Sequence, residues 1–82
     1  MKKSRSKTGD KNLIAVKLIE LRREHKLSQR DLASKLQLAG YDMDKNIITR
    51  IENNQRYVAD FELKALTEIF QVSYDYLIED KK

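Results

Sequence analysis

The chain has no cysteine, no proline, two glycines and a single histidine. Without cysteine there is no disulfide framework and no thiolate metal site, which suits a reducing, cytoplasmic setting. His25 has no second histidine or cysteine to complete a zinc ligand set. No long apolar run is present to span a membrane. The basic N-terminus lacks the apolar stretch of a secretory signal. A Gly-rich phosphate loop is missing, and nothing in the order of Ser, His and Asp suggests a triad. Asp75, Glu79 and Asp80 read as a solvated helix face. These absences predict a chain that is not an enzyme, needs no cofactor and shows no small-molecule site.

What is present is charge and helix-spaced aliphatics. The 82 residues sum to a net charge of +4, unevenly spread. Residues 1–11 carry Lys2, Lys3, Arg5, Lys7 and Lys11 against Asp10, so residues 12–82 balance to zero. Residues 1–30 hold ten basic and three acidic side chains, whereas residues 31–82 hold seven and ten. Such polarity predicts a basic side that faces a polyanion. Residues 1–11 have no apolar residue after Met1 and read as a flexible basic arm. Residues 12–80 read as one all-α domain.

Five helices are expected. The first runs from about Asn12 to His25, with Ile14, Leu18 and Leu21 at i, i+4, i+7, and Leu13 and Val16 widening the stripe. Asp10 or Asn12 is positioned to cap it. The second starts at Ser28, paired with Asp31 as a capping box, and ends before Gly40. A third runs from Asp44, its N-cap, to about Asn53. The fourth begins at Asp60, with Leu63, Leu66, Ile69 and Phe70 inward. The last is short and capped by Ser73. Leu27 with Leu32, Met43 with Ile48, and Val72 with Leu77 are spaced as hydrophobic staples at three helix starts. Tyr74, Tyr76 and Ile78 are expected chiefly to complete the core, with contact to a second copy of the chain the other role open to them.

The run LRREHKLSQRDLASKL, then NIITRIENNQR, then LTEIFQVSYDYLI, resembles the Xre/Cro-type helix-turn-helix family over about residues 13–78. The resemblance implies a five-helix lambda-repressor-like domain that binds double-stranded DNA as a homodimer and regulates transcription. It also implies that Arg22 pairs with Glu52, joining the first helix to the end of the third. By the same analogy, Gln29 contacts a phosphate and braces the first residue of the third helix. Lys45, Asn46, Thr49 and Arg50 occupy outward positions of that helix, opposite Ile48 and Ile51. A recognition helix meets base edges at such positions. Arg or Lys can pair with guanine and Asn with adenine, while the apolar Ile47 suits a thymine methyl. Asn53, Asn54, Gln55, Arg56 and Tyr57 follow, and polar groups there commonly grip the backbone. Asn53, Arg56 and Tyr57 join Gln29 as phosphate-contact candidates, with Arg56 foremost.

Two departures stand out. The family has glycine two residues after the glutamate closing the third helix, where this chain has Asn54, the next-best residue for a left-handed cap. It also passes from the second helix to the third in a few residues, whereas here Ala39–Met43 is extra. Gly40, Met43 and Asp44 suggest an ordered, lengthened turn that points away from the DNA face or lies lateral to it. A protein-interaction module on the same fold, such as an antitoxin or anti-regulator, is the alternative reading.

Overall fold

A computed structural model describes residues 11–79. Those residues form five helices and no strand: α1 (Ala15–Glu24), α2 (Gln29–Leu38), α3 (Lys45–Glu52), α4 (Asp60–Phe70) and α5 (Tyr74–Ile78). The arm proposed for residues 1–10 lies outside the described residues. Lys11, counted with that arm, is fastened to the domain: its amide donates to Asn54 Oδ1 at 2.9 Å.

Local chemistry sets most of the boundaries. Ser28 accepts from the Asp31 amide at 3.0 Å while Asp31 Oδ2 accepts from the Ser28 amide at 3.1 Å, so the capping box is complete. Asp44 Oδ1 accepts from the Ile47 amide at 2.9 Å, and Ser73 Oγ from the Tyr76 amide at 3.0 Å. The first helix starts later than its apolar spacing suggests, at Ala15. Asn12 does not cap it as an ordinary N-cap residue. Its side chain instead accepts from the Ile14 amide at 3.1 Å and donates to the carbonyls of Ile51 and Arg56, both at 3.1 Å. A buried asparagine therefore ties the chain's entry to the end of α3.

Four helices end in the same way. Past α1, α2, α3 and α4 stand Lys26 (φ 58°), Gly40 (φ 97°), Asn54 (φ 62°) and Gln71 (φ 56°). In each case the next residue's amide reaches back five residues, as Leu27 does to the Arg22 carbonyl at 3.0 Å. This satisfies carbonyls that would otherwise lack a donor.

One core lies between the helices, built from Ile14, Leu18, Leu21, Leu32, Leu36, Met43, Ile48, Ile51, Leu66, Phe70 and Leu77 among others. All three staple pairs contribute, with Leu27 and Val72 half-buried against the cluster. Burying a side chain such as Met43, 1% exposed, contributes about 1.5–3 kcal/mol. Helix α3 rests mainly on α1 and α2, whereas α4 rests on α2 and α5. Two expectations fail at the edge of this core. Leu13 and Val16 are half exposed rather than part of the buried stripe: Leu13 lies before α1 begins, and Val16, two residues from both Ile14 and Leu18, falls on the opposite face of the helix. Tyr74, Tyr76 and Ile78 are exposed as well, leaving Leu77 as the one buried residue of α5.

Candidate nucleic-acid interface

Helix α3 has two faces of opposite character. Ile48 and Ile51 are fully buried, and Ile47 is half-buried against the core. Lys45, Asn46 and Arg50 are exposed, and among the described residues their side chains have no internal partner. Asn46 and Arg50 stand four residues apart, one above the other on the helix surface. The result is a short helix that presents two cations and an amide outward from a packed apolar base.

Thr49 belongs to neither group. Its hydroxyl donates to Gln29 Oε1 at 2.7 Å. Gln29 Nε2 in turn donates to Glu52 Oε1 at 2.8 Å. Arg22 completes the series with Nε to Glu52 Oε2 at 2.7 Å and Nη2 to Oε1 at 3.1 Å, while its Nη1 donates to the Leu27 carbonyl at 3.0 Å. The Glu52 side chain is only 4% exposed. A carboxylate buried so far needs partners for its oxygens, and here it has three donor bonds from two side chains. The network joins α1, the first residue of α2, and α3, and it fixes the rotation of α3 about its axis.

The other candidates divide. Asn53 is exposed just past α3. Tyr57 is 72% exposed and carries Lys11 Nζ over its ring, 5.2 Å from the centroid. Arg56 is committed within the fold: its Nη1 donates to Glu62 Oε1 at 2.8 Å, and the Glu62 side chain is 5% exposed. A phosphate contact by Arg56 has to be shared with that pairing. The brace from Gln29 falls on Thr49, in the middle of α3, rather than on Lys45 at its start. Gln29 and Thr49 are twenty residues apart, and Arg56 and Glu62, six apart, are joined across a loop into the first turn of α4, a spacing that carries no local signal.

The lengthened turn lies beside α3. Gly40 and Tyr41 close α2, with the Tyr41 amide donating to the Leu36 carbonyl at 2.9 Å. Gln37 Nε2 donates to the Met43 carbonyl at 3.4 Å. The half-buried Tyr41 donates its hydroxyl to Glu68 on α4. The Glu68 carboxylate, as acceptor of that proton, raises the Tyr41 phenol above its ordinary pKa.

Among the described residues no helix is long and apolar enough to cross a membrane, and no group of His, Cys, Asp or Glu is arranged to hold a metal ion. Neither curated proteins nor solved structures give a match to the chain. Residues 18–77, which take in all but the start of α1 and the end of α5, match the helix-turn-helix family. With its five helices, its short second and third helices locked together, and that match over most of its length, the chain belongs to the Xre/lambda-repressor-like helix-turn-helix family, a DNA-binding family.

Proposed function

We propose that the chain is a sequence-specific regulator of transcription, a repressor acting in the cytoplasm, that reads the major groove with α3. The observation that carries this reading is the pairing of a free outer face, Lys45, Asn46 and Arg50, with a helix locked from behind through Thr49 and Glu52. Base readout needs side chains held within about 0.5 Å of their productive positions, and the internal network supports that stiffness. Ile47 and Thr49 sit at the margin of the same face. Gln29, Asn53 and Tyr57 flank it as phosphate contacts, with Arg56 contributing what its pairing leaves. The basic residues of segment 1–11 add sequence-independent attraction.

The protein acts as a homodimer on two half-sites about one helical turn apart, roughly 34 Å. The exposed apolar side chains of Leu13, Val16, Tyr76 and Ile78 support α5 and the start of α1 as the contact face.

Selection of bound sites from a random DNA pool, followed by titration of the selected site at several salt concentrations, tests this reading. A two-fold symmetric motif is expected. The log of affinity should fall with log salt by about 0.9 for each phosphate neutralised. A pool that yields no enriched motif and a protein with no salt-dependent DNA affinity would overturn it and leave the protein-interaction role.

A further inference from the structure

A longer connection between two helices normally loosens their relation, because more backbone is free to move. Here the connection is held at nearly every step. The Tyr41 amide bonds to the end of α2, the Gln37 side chain holds the Met43 carbonyl, Met43 is in the core, and Asp44 caps α3. The Tyr41 hydroxyl adds a link of another kind. It reaches across to Glu68 on α4, a helix whose main neighbours are α2 and α5 rather than α3.

We infer that the Ala39–Met43 turn is a strap, and that Tyr41 and Glu68 are positioning residues that set the start of α3 relative to the body of the domain. The inference rests on the DNA-reading role proposed above. The Arg22–Glu52–Gln29–Thr49 network holds the middle and end of α3, three and more residues away from Lys45 and Asn46. The strap holds the end that carries those two side chains. Met43 directly precedes the cap residue, so movement of the turn passes straight into the first turn of α3. Neither Tyr41 nor Glu68 needs to touch DNA to act in this way. Lys64, 4.0 Å from Glu68 on the same helix, is the one charged neighbour that competes for the carboxylate among the described residues.

The test uses the full chain and the Tyr41→Phe variant, which keeps the ring and removes the hydroxyl. Two quantities are read. The first is amide hydrogen exchange at Ile47 and Ile48, whose amides donate to the Asp44 side chain and carbonyl. The second is the ratio of affinities for the selected site and for random DNA at fixed salt. Exchange at those amides should quicken and the ratio should fall by about fivefold, the effect of one ordinary hydrogen bond. Glu68→Ala should reproduce both changes, and adding it to Tyr41→Phe should change nothing further. Glu68→Gln, which keeps an acceptor, should restore most of the ratio. The ratio cancels any uniform gain in DNA affinity from the lost negative charge. Unchanged exchange in Tyr41→Phe overturns the strap itself. Faster exchange with an unchanged ratio overturns its positioning role. A wild-type chain that binds no DNA fails the DNA-reading proposal and with it that role, whereas the exchange measurement still decides whether the strap exists.

Discussion

Thr49 and Gln29 meet through a 2.7 Å hydrogen bond between the middle of α3 and the first residue of α2. The bond uses the one outer polar residue of α3 that also points toward the body. It makes the second helix's start and the third helix's rotation a single geometric unit, with Glu52 and Arg22 behind it.

Removing Arg22 leaves the Glu52 carboxylate buried without its cation. Arg22→Met should destabilise the domain by about 3–5 kcal/mol, the usual cost of breaking a buried pair from one side. Arg22→Met with Glu52→Leu should recover most of that loss in chemical denaturation. A single variant as stable as wild type would mean that water reaches Glu52 and replaces the guanidinium.

The left-handed residues separate into two kinds. Lys26 holds φ 58° with a side chain that bonds to nothing among the described residues, so Lys26→Gly should raise stability by about 0.5–1 kcal/mol. Asn54 holds φ 62°, but its Oδ1 also accepts from the amides of Lys11 and Asn12 at 2.9 and 3.0 Å. Asn54→Gly relieves the backbone yet gives up both bonds, and it should lower the thermal midpoint. Opposite signs for two glycine substitutions at equivalent helix ends are the expected result.

Arg50 and Arg56 differ in what lies behind them. Arg50→Ala should leave stability unchanged and reduce discrimination at one base position of each half-site by about 1–3 kcal/mol. Arg56→Ala should weaken binding to all sequences alike. It should also lower stability, because Glu62 is left buried. Thermal melts beside titrations on preferred, single-base-variant and random DNA distinguish the two. Equal, sequence-independent losses would make Arg50 a phosphate clamp.

Three of the helix caps read clearly from sequence because each is decided within four residues, whereas the start of α1 did not. Ser28, Asp44 and Ser73 all accept the amide three positions on. The core was legible for the same reason, since Ile14, Leu18 and Leu21 follow helix spacing and are buried. The outer face of α3 follows from the burial of Ile48 and Ile51. The pairings of Tyr41 with Glu68, Gln29 with Thr49 and Arg56 with Glu62 were not legible. Each joins polar residues whose types suit many partners, and tertiary packing alone selects among them. Tyr76 and Ile78 misled for a related reason: an aromatic or aliphatic residue on a five-residue helix carries too little periodicity to say which way it faces.

Two groups give the fold a pH signature. The Ser28 amide and hydroxyl hold the Asp31 carboxyl below its ordinary pKa. A lowered folded value means that the ionised form is favoured by folding. Its contribution is present above the usual carboxylate range and is lost as pH falls through the lowered value. Tyr41 runs the other way: its pKa is raised, so its contribution is full below the usual phenol range and is lost as pH rises through the raised value. Asp31→Asn should flatten the acid limb of a stability–pH curve, and Tyr41→Phe the alkaline limb. An acid limb identical in wild type and Asp31→Asn would place that dependence elsewhere.

Asn54 also acts as a mooring. By holding the amides of Lys11 and Asn12 it pins the chain beside the last turn of α3. The basic residues Lys2, Lys3, Arg5 and Lys7 lie nine to four residues before Lys11. Nine residues of chain span at most roughly 32 Å. The anchor at Asn54 therefore limits which part of the domain those four cations can serve to the surroundings of one end of α3.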